Sequence, residues 1–192
     1  TMLKGDNTKT LIREIESAQK EGTDAFCFEI EIMESKYRNA SDFKDIFSVM
    51  GDKPCYITNY RRGNVCEYEQ SDEELTEEML LALQCGATLF DVRGDLYDPC
   101  PLEFTYDETA VKRQMELIDT VHKMGKEVIM STHTLKYMTE AEVIKIAKAQ
   151  EMRGADIAKV VTAGETVTEE LDNLATTIKL NSELKIPYLF LS

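Results

Sequence analysis

Lys159 and His133 are the residues of this sequence whose types and positions indicate covalent catalysis. Lys159 lies in the apolar run DIAKVV, and His133 ends the run VIMSTH, and both runs have the length and composition of buried β-strands. Burial favours the neutral form of an amine, which attacks a carbonyl to form an imine. Because an imine acidifies the adjacent carbon and an imidazole transfers protons near neutral pH, the pair predicts Schiff-base chemistry.

A structural explanation exists for each residue taken alone. A strand lysine often lies at a sheet edge with its ammonium in water, and a histidine can be a hydrogen-bonded core residue. Val160 and Val161 are too apolar for an exposed strand, so we favour a functional pair. His122 falls within a predicted helix and is expected to be an ordinary surface residue.

Polar side chains also recur on one face of the other predicted strands. In Ala25–Ile32, strand alternation places Glu29 and Glu31 on the face opposite the phenylalanines. The same parity aligns further pairs, one on each of four strands: Asn59 with Arg61, Asp91 with Arg93, Ser131 with His133, and Ile157 with Lys159. Buried charges are costly unless they pair or serve chemistry, so we predict a polar site at the C-terminal ends of the strands.

These strands alternate with amphipathic helices. The predicted helices are Asn7–Glu21, Ser41–Met50, Ser71–Gln84, Asp107–Met124, Thr139–Arg153 and Thr166–Ser182. Ser41 is the expected N-cap of the second helix, and the third is expected to begin with a capping box of Ser71 and Glu74 and to end at Gly86. The predicted strands are Ala25–Ile32, Pro54–Arg61, Ala87–Arg93, Glu127–His133, Asp156–Val161 and Tyr188–Ser192. No glycine-rich phosphate loop follows the first strand, which disfavours a doubly wound dinucleotide fold. We predict an α/β fold of the (βα)8 barrel type, with about six of the eight units present in a single incomplete domain over residues 1–192.

Charge and cysteine usage narrow the classes of partner. The net charge is −14, which argues against nucleic acid or an anionic membrane as the main partner. No apolar run approaches the length of a membrane span. The five cysteines form no CxxC pair, so we expect reduced structural thiols in a cytoplasmic protein, with no metal site and no cofactor.

Five segments in order along the chain, FEIEI, ITNYR, FDVR, VIMSTHT and GADIAKVV, resemble those of the type I 3-dehydroquinate dehydratases. The resemblance implies a lyase of the shikimate pathway of aromatic amino acid biosynthesis, which dehydrates 3-dehydroquinate, a small anionic cyclic hydroxy-keto acid, to 3-dehydroshikimate. In that family a strand lysine forms an imine with the substrate ketone, and a histidine in a Ser-x-His motif transfers the proton. Lys159 and His133 match these positions. Arg61 and Glu29 match residues that hold the substrate, and Ser131 is implied beside them.

The sequence departs from the family pattern at three places. Glu31 stands where the family has arginine and Arg93 where it has an acid, which predicts a reversed ion pair between the two. The family's Glu-Gly-Gly, whose glutamate orients the histidine, is replaced by RRGNVCEYE, where Glu67 or Glu69 could substitute. The family's last substrate-binding residues would lie beyond Ser192, so we expect a chain truncated at both ends. Its unpaired strand edges favour dimer contacts, and we expect a homodimer.

Two other functions remain open on sequence grounds. A class I aldolase-like barrel also uses a strand lysine and no metal, and product analysis would separate it from a dehydratase. A non-catalytic barrel that binds a small polar ligand is favoured by the charge exchange and by the missing glutamate. Ligand binding that is insensitive to Lys159→Ala would indicate the latter.

Overall fold

The computed structural model describes residues 1–192, which divide into two compact units, residues 1–91 and 92–192. Seven strands alternate with six α-helices along the chain. This alternation confirms the predicted fold class, whereas the single incomplete domain stays a prediction.

The first unit contains strands β1 to β3, most of β4 and three helices. Its elements are β1 (Met2–Leu3), α1 (Thr8–Lys20), β2 (Phe26–Glu29), α2 (Ala40–Met50), β3 (Cys55–Thr58), α3 (Asp72–Cys85) and β4 (Leu89–Arg93), which crosses the division. The strands pair in parallel in the order β1, β2, β3, β4. The core packs α2 on β2, where Phe28 lies 6.0 Å from both Phe43 and Phe47 in edge-to-face contacts.

The second unit contains three complete strands and three helices. Its elements are α4 (Glu108–Lys123), β5 (Glu127–His133), α5 (Glu140–Met152), β6 (Ile157–Val161), α6 (Val167–Glu183) and β7 (Tyr188–Leu191). Strand β6 pairs in parallel with β5 on one side and β7 on the other. Val128, Met130, Ala158 and Val160 are buried at every second strand position, as expected of a face that packs on helices.

Local sequence signals place several helix ends correctly. Ser71 caps α3 in a reciprocal capping box with Glu74, and Gly86 ends that helix, both as predicted. The predicted cap at Ser41 is wrong. Asn39 caps α2 instead, because its side-chain oxygen accepts from the backbone N–H groups of Ser41 and Asp42.

Two predicted strands end three residues earlier than expected, and one strand was not predicted. Residues Ile30–Ile32 form a 3-10 turn because the buried Arg38 donates to the carbonyls of Glu31 and Met33, which draws the chain out of the sheet. Strand β3 ends at Thr58 rather than Arg61. The two-residue strand β1 precedes α1, where the sequence predicted a helix as the first element.

Candidate active site

The pairing of β5 with β6 brings three predicted site residues together in the second unit. Lys159 lies opposite Ser131 in the parallel register, and His133 lies opposite Val161. Since side chains alternate along a strand, Lys159, Ser131 and His133 share one face of the sheet, at the C-terminal ends of both strands. Lys159 and His133 are half-buried, and Ser131 is buried. An amine and an imidazole on this face can act on one small molecule.

Helix α5 supports the backbone at Lys159. The Gln150 amide nitrogen donates to the Lys159 carbonyl at 3.0 Å and to the Thr132 hydroxyl at 3.2 Å. Gln150 is fully buried, so these bonds are shielded from competing water. The strand position of Lys159 is therefore supported through its main chain.

A glutamate in the loop after β4 contacts the histidine. The Glu103 Oε2 atom lies 3.2 Å from His133 Nδ1 and also accepts the His133 backbone N–H at 3.2 Å. Burial acts to raise the pKa of Glu103, but the hydrogen bond and charge of His133 and the charge of Arg93 outweigh it and lower that pKa. The carboxylate is therefore ionised beside the imidazole. Arg93 itself lies 3.8 Å from Asp95.

Arg153 holds the loop that presents Glu103. Its guanidinium donates to the Thr105 carbonyl at 2.6 Å and to the Gln114 side chain at 2.8 Å, and it stacks 4.1 Å from the Phe104 ring centroid. Gly94 lies beneath the same loop, and its carbonyl accepts the Thr105 backbone N–H at 3.0 Å. The residues on both sides of Glu103 are thus anchored to the body of the unit.

Gly94→Ala is expected to displace this loop. A Cβ at position 94 would lie 2.5 Å from Phe104 Cδ2, 2.7 Å from the Glu103 carbonyl oxygen and 2.7 Å from the Thr132 hydroxyl, all inside van der Waals contact. We expect a loss of roughly 1–3 kcal/mol in the free energy of unfolding, measured by urea titration, as for other overpacked sites. Gly164→Ala is the matched control, since the three atoms nearest to its Cβ all belong to the exposed Glu170 side chain, which can move aside. Equal stability of the two variants would contradict the expected clash.

Three predicted carboxylates interact in the first unit. Glu31 is buried and accepts a hydrogen bond from the Thr58 hydroxyl at 3.0 Å. Burial raises the pKa of Glu31 to about 7, and the charges of Glu29 and Asp91 act in the same direction. Asp91 in turn accepts hydrogen bonds from the hydroxyls of Tyr56 and Tyr60. The predicted Glu31–Arg93 ion pair stays a prediction.

The raised pKa of Glu31 makes stability depend on pH. The folded-state pKa of about 7 lies above the ordinary carboxyl value, so ionisation of Glu31 destabilises the fold as pH rises from about 4.5 to about 7. The substitution Glu31→Gln removes this effect. The difference in free energy of unfolding between Glu31→Gln and the parent protein should therefore be more favourable to the variant at pH 8 than at pH 5, by up to about 3 kcal/mol. Urea titrations at both pH values measure this difference. Glu67→Gln, at an exposed position, should show no such gain, and an equal gain in both variants would refute the assignment to Glu31.

The two predicted residues after β3 contact helix α3. Arg61 binds Asp72 through both ends of its guanidinium, with Nε 2.6 Å from Oδ1. The Asn59 amide donates to the Leu75 carbonyl at 3.2 Å and to the Glu78 carboxylate at 2.8 Å. The expected alignment of Asn59 with Arg61 on a strand is wrong, since both lie beyond the end of β3.

Residues 1–192 show neither a metal-binding cluster nor a membrane-spanning helix. No group of three or more His, Cys, Asp or Glu side chains in residues 1–192 is arranged to bind a metal ion. None of the helices combines the length and apolar character needed to cross a membrane.

Comparison with known proteins identifies the family. The family model described as type I 3-dehydroquinase matches residues 1–192. The chain belongs to the type I 3-dehydroquinase family. No curated protein matches the sequence. Family membership confirms the resemblance inferred from the strand motifs, and it indicates a dehydroquinase-like enzyme that acts on a small cyclic substrate.

Solved structures of other dehydroquinases share the fold. The 3-dehydroquinate dehydratase of Enterococcus faecalis is 17% identical with a TM-score of 0.79, and the alignment covers 99% of this chain and 76% of that one. The 3-dehydroquinate dehydratase of Geobacillus kaustophilus is 17% identical with a TM-score of 0.81, and the alignment covers 98% of this chain and 70% of that one. The type I enzyme of Clostridium difficile was solved with covalently modified comenic acid. It is 18% identical with a TM-score of 0.80, and the alignment covers 98% of this chain and 72% of that one. At these identities the likeness establishes the fold of this dehydroquinase.

The residues that sequence reasoning missed are supporting ones. Glu103, Gln150 and Arg153 hold His133, Lys159 and the loop after β4. Gln150 and Arg153 were assigned only to a helix, and Glu103 lies in an irregular loop. The one available signal for Glu103 was its place after a strand, at the sheet edge where such sites lie. Glu67 and Glu69, the predicted substitutes for the orienting glutamate, are exposed in the first unit.

Proposed function

We propose that this dehydroquinase dehydrates 3-dehydroquinate to 3-dehydroshikimate through an imine at Lys159, with His133 as general acid and base. The observation that carries the proposal is the register of β5 and β6, which aligns Lys159 with Ser131 and sets His133 two residues further on the same face. An amine and an imidazole so arranged match the two functions that the reaction needs. The covalently modified ligand of the Clostridium difficile relative supports covalent chemistry on this fold.

The reaction follows from the imine as an electron sink. The Lys159 amine adds to the substrate ketone, and the adduct loses one water to form the imine. His133 takes a proton from the carbon beside the imine carbon, which leaves an enamine. The enamine expels the hydroxyl of the next carbon, which departs as a second water after it receives a proton. Hydrolysis of the imine consumes one water, releases the unsaturated ketone and restores the amine, so the net loss is one water.

The proposal also gives binding functions to polar residues outside the pair. Arg61 and Glu29 would hold the substrate, as the family resemblance implies, and Ser131 lies directly opposite Lys159 in the sheet. The bidentate contact with Asp72 fixes the plane of the Arg61 guanidinium while part of it stays exposed to solvent. Glu31, Asn59, Asp91 and Arg93 would line the site.

Borohydride trapping tests the proposal directly. The protein is incubated with 3-dehydroquinate and sodium borohydride, and peptide mass spectrometry locates any reduced adduct. We expect the adduct on Lys159, its absence in Lys159→Ala, and its retention in Lys112→Ala, whose side chain is 78% exposed on α4. Product formation without any lysine adduct would refute the imine. A cleaved product would instead indicate the aldolase-like alternative.

The proposal includes a homodimer in the cytoplasm. Size-exclusion chromatography with light scattering tests the oligomer, because a dimer has twice the 21.9 kDa mass of the chain. A monomeric mass at micromolar concentration would exclude a stable dimer.

A further inference from the structure

We propose that Glu103 is the positioning residue of His133, fixing both the orientation of the ring and its tautomer. This inference rests on the proposed function, in which His133 exchanges a proton with the substrate. It assigns a role to the loop after β4, whose Glu103 carboxylate contacts both the ring and the backbone of His133.

The contact geometry defines the tautomer. One carboxylate oxygen, Glu103 Oε2, accepts the backbone N–H of His133 and lies at the same 3.2 Å distance from Nδ1. An ionised carboxylate can only accept hydrogen bonds, so Nδ1 must carry the proton. In the neutral ring Nε2 is then the basic nitrogen. Because the same oxygen binds the main chain and the ring, the ring is held in a defined orientation relative to its own strand.

The charge of Glu103 adds a second contribution. When the imidazole takes the substrate proton it becomes a cation, and an adjacent carboxylate stabilises that cation. The charged groups near this pair within the second unit include Arg93 and Asp95, which lie 3.8 Å apart and offset each other. Glu103 thereby orients the base before the reaction and stabilises its protonated form afterwards.

The loop is built to hold Glu103 in place. Glu103 adopts a φ of 48°, in the left-handed region, and its backbone N–H donates to the Cys100 carbonyl at 3.0 Å to close a turn. A non-glycine residue adopts this conformation at a cost, which the surrounding contacts must offset. The buried Phe104 and the Arg153 bond to Thr105 supply such contacts. These contacts hold the Glu103 backbone beside His133.

Kinetics of two Glu103 variants and a double variant test whether Glu103 acts through His133. Glu103→Gln keeps a hydrogen-bond acceptor without the charge, and Glu103→Met removes both. We expect kcat to fall about 10-fold and about 10²-fold, respectively, with KM unchanged, as for other residues that orient a functional histidine. Glu116→Gln, at an exposed site on α4, should leave kcat unchanged.

The double variant isolates the shared role. If Glu103 acts only through His133, the Glu103→Met and His133→Ala double variant should be no slower than His133→Ala alone. Losses that multiply in the double variant would overturn the inference. Wild-type kcat in Glu103→Met would overturn it equally.

Histidine NMR gives a readout that does not depend on turnover. The chain has only two histidines, and His122 is an internal reference, because its Nε2 lies 2.8 Å from Asp156 and should carry the proton. In ¹⁵N-histidine-labelled protein, at a pH where the spectra show both rings neutral, His133 should show the Nδ1–H form and His122 the Nε2–H form. Glu103→Met should convert His133 towards Nε2–H and leave His122 unchanged.

The two proposals can fail separately. An unchanged His133 spectrum in Glu103→Met overturns the positioning role, whether or not the parent protein turns over. Absence of turnover and of a Lys159 adduct in the parent refutes the proposed function, while the tautomer measurement still decides the role of Glu103.

Discussion

Lys159→Ala is expected to lower kcat by on the order of 10⁴-fold or more, as removal of a catalytic nucleophile does in other enzymes. Without the amine no imine forms, and the carbon beside the ketone is acidified far less, so the proton is not removed at a useful rate. Steady-state assays that follow the conjugated product measure the effect. The substitution should spare the fold, because Gln150 supports position 159 through its backbone carbonyl.

The control for this variant separates loss of chemistry from loss of structure. Lys112→Ala removes an exposed lysine whose side chain lies 3.9 Å from Glu116 on the same helix, and it should leave kcat unchanged. Urea midpoints of Lys159→Ala and the parent should agree closely. Substantial turnover in a folded Lys159→Ala protein would exclude the imine mechanism.

His133→Ala is expected to reduce kcat by about 10²- to 10⁴-fold, the usual contribution of a general acid or base. Imine formation is possible without the imidazole, so borohydride should still trap substrate on Lys159. The combination of slow turnover with retained trapping would assign His133 to proton transfer. His122→Ala is the matched control, since His122 lies on α4 and pairs with Asp156 near the surface.

The two results are informative together. Loss of trapping in His133→Ala would mean that the histidine is needed to form the imine. Turnover within a few-fold of the parent would remove it from the mechanism. The Glu103 series then connects the size of the kcat loss to a measured tautomer, which tests how the histidine is prepared for its role.

Local sequence patterns were sufficient to predict the two strands that carry the proposed catalytic pair. The apolar periodicity of VIMSTH and DIAKVV predicted β5 and β6 to within one residue, and the structure confirms the shared parity of Ser131 and His133. The capping box of Ser71 and Glu74 could also be predicted from the sequence, because the two residues are only three positions apart. These features depend on residues close in sequence, so a single chain displays them directly.

Other features were decided by contacts between distant residues. Strand β2 ends at Glu29 because Arg38, nine positions later, donates to the carbonyls of Glu31 and Met33. The raised pKa of Glu31 comes chiefly from burial, with smaller contributions from the charges of Glu29 and of Asp91, which is 60 residues away in the chain. Strand periodicity alone predicted neither the turn nor the electrostatic environment that it creates.

The contact between Glu103 and His133 distinguishes most clearly what the sequence predicts from what the tertiary structure decides. Strand parity predicted that Ser131 and His133 share a face of their strand, whereas the parallel register of β5 with β6 brings Lys159 to that same face. Which glutamate contacts His133 depended on a loop shaped by Gly94, Phe104 and Arg153, and no local pattern encodes that shape. Tertiary structure therefore decided which carboxylate contacts His133, because only long-range packing brings Glu103 within 3.2 Å of its ring.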